Sequence, residues 1–444
     1  MANTYEGLQL PRSDSDFFDD GSGTLPRGFL RLGLWAAPTV TFALCLLSML
    51  AWGVGESPSF GMVPSVIVAV VSVFSLLCAM AVVRSGWVWL LSVALGMAVA
   101  LPTIAGLVHE YNRTDWVPAA IGLAVAATVC AAFALEARKI RSAVFVSLAI
   151  VIWLSLGFGV AARLGVDVSG LYGRNFRDWF GLEQLAGIAN HPNILAPLAG
   201  AALLLQSLAL PDLRRRPGVL FLAVVFGPVA SAAALIWTQS RGGIIATIAA
   251  VVLVLLAGAL RYRVGVVAGG MSLLFVLGGL LPIIGRMEPA QFEAGEEPFL
   301  GQFLSGRWFA WYVADQEFSS NELIGAGPYA YSARFWSEWP ADSYWKPVHA
   351  HNQVWESLVL LGIIGLIVLA VAMVLVAVTA ARVRFADRGW LVGVLSVVLV
   401  GSVADLSLGA SSASATLLLP LLLAAVTGSA WRIHLARKAH VRRR

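Results

Sequence analysis

Apolar stretches of about 20 residues, separated by short polar or charged intervals, recur along most of the chain from Gly33 to Trp431. A helix needs about 20 such residues to cross the hydrocarbon layer. The pattern supplies twelve runs: Gly33–Trp52, Gly61–Val83, Trp87–Val108, Trp116–Leu135, Ala143–Ala162, Asn193–Leu210, Gly218–Thr238, Gly242–Leu260, Val264–Gly285, Val354–Ala380, Trp390–Ala404 and Ala413–Trp431. It predicts an all-α, polytopic helical membrane protein with about 12 transmembrane helices. A composition of 59% hydrophobic and 12% charged residues lies far from that of a soluble domain and agrees with this class.

Charge then orients the array. Alternate intervals are basic: Arg84; Arg138, Lys139 and Arg141; Arg214, Arg215 and Arg216; Arg261 and Arg263; Arg382, Arg384 and Arg388. Lys and Arg concentrate in cytoplasmic loops, so the pattern predicts a multi-pass protein with both termini in the cytoplasm. The net charge of +5 then reflects topology and contact with anionic lipid, and implies no nucleic acid. The expected organisation is a disordered cytoplasmic tail over 1–32, N-terminal transmembrane helices over 33–162, an outer loop at 163–192, and further transmembrane helices over 193–285. A large extracytoplasmic loop with short amphipathic helices follows at 286–352, between spans nine and ten, then C-terminal helices over 353–431 and a basic tail over 432–444. The polar first segment lacks the apolar core and cleavage site of a signal peptide. Cys45, Cys78 and Cys130 all fall inside predicted helices and form no disulfide or metal framework.

Ionisable groups are expensive at membrane depth and usually functional there. Glu356 and Asp405, near the outer ends of their spans, are the exceptions to an otherwise uncharged interior. A lipid-linked glycan flippase or other transporter would need a polar central cavity and two-fold internal similarity, and the chain shows neither. Candidate chemistry gathers instead in the two outer segments. Their tryptophans Trp308, Trp311, Trp336, Trp339 and Trp345 read as an interfacial belt.

Arg241, in Gln239-Ser240-Arg241-Gly242-Gly243, opens a span that starts outside. Its guanidinium would lie beside the unpaired N–H groups and positive dipole end of that helix, a corner suited to phosphate. Gly242 lets a large ligand approach the backbone. Arg307, in Ser305-Gly306-Arg307-Trp308, could complete a clamp, since guanidinium binds phosphate in two-pronged fashion. Arg163, Arg174, Arg177, Arg286, Arg334 and Lys346 compete for that place.

His351 and Asn352 precede a helix entering from outside. His can take a proton near neutral pH, and Asn can orient a hydroxyl or an oxyanion. His349 nearby lacks the companions of a metal site. Glu183-Gln184 and His191-Pro192-Asn193 form a further polar cluster, in which Asn193 serves either the ligand or a helix cap.

The ordered set Gly187-Ile188-Ala189-Asn190-His191-Pro192-Asn193, Ser240-Arg241-Gly242-Gly243, Ser305-Gly306-Arg307, Gly325-Ala326-Gly327-Pro328, and His351-Asn352 followed by Leu361-Gly362-Ile363-Ile364-Gly365 resembles the O-antigen ligase and polymerase superfamily. The resemblance spans roughly Gly181 to Ala380. It implies a GT-C-like helical fold in the bacterial plasma membrane and a metal-independent, inverting glycosyltransferase with no cofactor. The donor it implies is a polyprenyl-diphosphate-linked glycan, with a glycan, lipid or protein as acceptor and a chain-length regulator as a possible partner. Carried over by motif, Arg241 and Arg307 hold the diphosphate with Asn193 and Gly242 beside them, and His351 with Asn352 activates or orients the acceptor. Glu183 and Glu356 stand as reserve bases. His349 and a Trp-rich stretch over Phe335–Trp345 depart from the family pattern. A related reading, a peptidoglycan-type membrane glycosyltransferase, would use an outer carboxylate such as Asp315, Glu317 or Asp342.

Overall fold

The computed structural model describes residues 27–51, 62–110, 116–135, 137–166, 178–179, 182–189, 191–213, 219–259, 279–280, 283, 307–331, 349–383, 390–398 and 418–442. Helices dominate: α1 (Arg27–Ala51), α2 (Met62–Val82), α3 (Gly86–Val108), α4 (Val117–Ala134), α5 (Ala137–Arg163), α6 (Pro192–Leu213), α7 (Val219–Thr238), α8 (Arg241–Ala259), α9 (Trp308–Ser320), α10 (Gln353–Arg382), α11 (390–398) and α12 (Leu418–Arg442). Among the described residues, eight helices are long and apolar enough to cross a membrane, and the apolar stretches Phe226–Thr238 and Arg241–Leu256 are shorter. Eleven of the twelve apolar runs thus overlap described helix, with 399–404 and 413–417 outside the described residues. The ninth, Val264–Gly285, falls almost wholly outside the described residues, as does most of the loop that follows it.

The bundle is apolar on its surface as well as in its core. On α2 the exposed side chains Met62, Val66, Val70, Val73, Leu77 and Met80 form one stripe at helical spacing, while Ser65, Ser72, Ser75, Cys78 and Ala79 point inward. Between helices in lipid there is no hydrophobic gain to collect, so small and hydroxyl-bearing residues make the closest contacts, beside buried Leu, Ile and Val. The same logic brings backbones together elsewhere. A Cβ on Gly96 of α3 would lie 2.8 Å from the carbonyl oxygen of Gly122 on α4. Gly243 of α8 presses on Ala196 of α6 in the same way, and Gly200 on Thr247. Helix α4 lies at the centre, packed by α1, α2, α3 and α12.

The two ends of the bundle differ. At one end Arg382 lies over the rings of Trp87 and Trp431, with its guanidinium 4.8 Å and 5.9 Å from their centroids, and Arg432 donates to the carbonyl of Ala134. At the other end α3 finishes at His109, whose Nε2 lies 3.2 Å from the carbonyl oxygen of Ile324 in the large loop. From there α4 runs away and α5 returns, so that Gly159, near its C-terminus, meets Leu185 and Trp237. The starts of α6, α8 and α10 all belong to this loop end.

Candidate active site

Two polar corners form at the loop end. In the first, α7 ends at Thr238, Gln239 takes a left-handed turn (φ 52°), and α8 begins at once with Arg241. The Ser240 hydroxyl receives the Gly243 N–H at 3.3 Å and donates to Asn193 Oδ1 at 2.9 Å. That bond ties the starts of α6 and α8 together, so two helix N-termini open beside Arg241. Asn193 is not the cap of its own helix. Its N–H donates to His191 Nδ1 at 3.2 Å, which gives the capping duty to His191 and leaves the Asn193 side chain on Ser240.

Residues 182–189 lie against this corner. A short antiparallel pair, β1 (Asp178–Trp179) and β2 (Leu182–Glu183), sets Asp178 opposite Glu183. The Glu183 carbonyl accepts the Trp237 indole N–H at 2.9 Å, and the Leu185 N–H donates to the Trp237 carbonyl at 3.0 Å. Gly187, at φ 54°, then lies against Ser155 of α5, where no Cβ would fit. Glu183 is therefore anchored through its backbone to the end of α7, next to the Ser240–Asn193 tie.

The second corner is built by α9 and α10. Arg307 opens α9, and that helix packs its apolar face on the start of α10. Trp308, Phe309, Val313, Tyr331, Val354, Trp355 and Leu358 form one cluster. Trp308 and Trp311 are 6% and 0% exposed, so these two are core residues of the loop and not part of an interfacial belt. Trp336, Trp339 and Trp345 lie outside the described residues, as do Ser305, Asp342 and Asp405.

His351 sits where this corner meets the bundle. Its φ of 49° is left-handed, which for a non-glycine residue costs roughly 1–3 kcal/mol and persists only when the surroundings enforce it. Asn352 follows as the cap of α10: its Oδ1 accepts the N–H groups of Val354 at 3.0 Å and Trp355 at 3.1 Å. Fully buried, Asn352 orients a helix start, a different task from orienting a hydroxyl. The imidazoles of His349 and His351 lie 3.9 Å apart between centroids, and His349 Nδ1 accepts the His351 N–H at 3.2 Å. Behind them, burial and then the nearby Glu356 and Glu317 carboxyls push the Tyr331 phenol well above its usual range, so it stays protonated. Burial likewise raises the Glu317 carboxyl.

Below this turn α10 is broken. Leu361 and Gly362 depart from helical geometry, and Gly362 has φ 58°. The loop segment after α9 fills the gap with its own backbone. Ala326 N–H donates to the Val359 carbonyl at 2.7 Å, and Ile363 N–H donates to the Glu322 carbonyl at 2.9 Å. Gly325 (φ 68°) and Gly362 face each other across this junction, each with backbone where a Cβ would go.

Residues 226–370 match the family model described as O-Antigen ligase. Over that segment the chain is similar to the O-antigen ligases. The matched segment, about a third of the chain, runs from α7 through the break in α10 and holds Arg241, Arg307, His351, Asn352 and Glu356. No curated protein sequence matches the chain. Together with the apolar helices, that similarity supports a multi-pass membrane protein with a glycan ligase or polymerase type of function. Asn193, His191 and Glu183 stand outside the matched segment and reach it through the Ser240 and Trp237 hydrogen bonds. Sequence reasoning had no signal for Tyr331 or for the backbone junction at Gly325 and Gly362, since both depend on segments that meet only in space.

Proposed function

We propose that this protein transfers glycan from a polyprenyl-diphosphate-linked donor to an acceptor hydroxyl at the outer face of the bacterial plasma membrane, with both termini in the cytoplasm. The observation that carries the reading is the left-handed, side-chain-held turn that fixes His351, its ring nitrogens buried, within the segment similar to the O-antigen ligases. Strain of that kind is retained where a side chain must be aimed.

In this reading the acceptor oxygen attacks the anomeric carbon as the bond from that carbon to the diphosphate oxygen breaks, which inverts the configuration. His351 takes the hydroxyl proton, with Glu183 as the reserve base. Charge grows on the departing diphosphate. Arg241, at the paired helix starts tied by Ser240 and Asn193, and Arg307, at the start of α9, supply fixed positive charge for it without a divalent ion. Gly242 keeps the backbone beside Arg241 open to the ligand. Acceptor candidates are a second glycan, a lipid or a protein, and a chain-length regulator would act on the same product.

The test is reconstitution of the purified protein with lipid-diphosphate-linked repeat units in EDTA, with the products sized. A ladder of longer lipid-linked chains marks a polymerase, and transfer only when a second acceptor is added marks a ligase. Arg241→Ala and Arg307→Ala should each lower turnover by about 100-fold or more while the protein stays inserted. Turnover close to wild type in either variant removes that residue from the clamp, and no turnover by the wild type with any donor overturns the reading.

A further inference from the structure

We infer that Glu356 is a positioning residue, whose buried carboxyl holds the backbone of the His349-Ala350-His351 turn and thereby sets the direction of the His351 imidazole. The inference rests on the role given to His351 above and adds a residue that acts through it.

Glu356 lies in the first turn of α10 and is 4% exposed. A carboxyl buried at the entrance of a membrane helix is costly unless hydrogen bonds satisfy it. Its Oε2 accepts the Ala350 N–H at 2.8 Å. Ala350 is fully buried, so its amide needs a partner inside the protein. The bond reaches back six residues, over the start of the helix.

The neighbouring bonds show what that reach accomplishes. Asn352 caps forward onto Val354 and Trp355, while Glu356 ties backward onto Ala350, so the two side chains bracket His351. His349 Nδ1 holds the His351 N–H between them. Ala350 and His351 thus have their amides fixed by side chains in succession, and the left-handed conformation of His351 is what this arrangement enforces. A general base in the same place would have to aim its carboxyl at substrate. Here the oxygen is committed to a backbone amide, with Tyr331 of the loop cluster close behind it.

Gln and Ala at this position separate the two roles, because a glutamine oxygen can still accept the Ala350 N–H and cannot serve as a carboxylate base. In the full-length reconstituted protein, Glu356→Ala should speed hydrogen–deuterium exchange across His349–His351 by about tenfold, as a local hydrogen bond opens. It should lower transfer by about 100-fold, the scale of a small misplacement of a reacting group. Glu356→Gln should keep both within about threefold of wild type and leave the pH profile of transfer unchanged. An inserted Glu356→Gln protein as inactive as Glu356→Ala, or with a shifted pH profile, overturns the inference in favour of a base. Unchanged exchange in Glu356→Ala overturns it as well. If Glu356→Ala does not fold, the Gln variant alone decides by the same criteria. If the wild type transfers nothing, the ligase reading falls while the exchange measurement still decides whether Glu356 holds the turn.

Discussion

At the scale of single residues, the His349–His351 pair is where chemistry and conformation separate. Both are imidazoles at the same turn, but only His351 among the two takes a left-handed backbone, and His349 spends its Nδ1 on the His351 amide. His349 is thereby a support and His351 the group being supported. His351→Ala should abolish transfer while leaving binding of the lipid-linked donor intact, whereas His349→Ala should retain measurable turnover, reduced by roughly tenfold. Turnover and donor binding measured on the two variants side by side check this. A dead His349→Ala beside an active His351→Ala would reverse the assignment. Asn193, read as serving either the ligand or a cap, bonds Ser240 just before another helix, and Asn352 caps its own helix through Oδ1.

At the scale of elements, the break in α10 sets the site's rigidity. A helix interrupted in a membrane must find partners for its freed backbone groups, and neighbouring protein is the tolerated source. Here the segment from Asn321 to Ala326 supplies them, which fixes α9 and the Tyr331 cluster to the half-helix that carries Asn352 and Glu356. Gly362→Ala and Gly325→Ala each place a Cβ on opposing backbone and force a left-handed residue. Each should destabilise the loop end by about 2 kcal/mol or more. The expected result is a lower thermal midpoint in detergent and a parallel fall in transfer. A midpoint equal to wild type for Gly362→Ala would show that the junction carries no such weight.

At the scale of the whole molecule, the basic and aromatic end around Trp87, Arg382 and Trp431 and the loop end around His109, Ile324 and His351 define two faces. The proposed orientation puts the loop end outside. In a chain whose native Cys45, Cys78 and Cys130 are buried, Glu322→Cys should react with a membrane-impermeant maleimide in intact spheroplasts. Lys438→Cys, at the exposed end of α12, should react only after permeabilisation. The opposite labelling pattern would invert the molecule and move the proposed site to the cytoplasm.

The amino-acid sequence by itself determined the helices of this protein, because a backbone in lipid must satisfy its hydrogen bonds within each segment and a 20-residue apolar run leaves it one way to do so. It also determined that Arg241, His351 and Asn352 would stand near helix starts, since each lies just before an apolar run. The tertiary structure alone decided what those residues touch. Ser240 reaches Asn193 across 47 positions, Trp237 reaches Glu183 across 54, and the segment at Glu322 enters the gap beside Gly362. It also decided that Trp308 and Trp311 are core and not belt. Such pairings depend on which backbones approach one another in space, and neither hydropathy nor spacing along the chain encodes that distance.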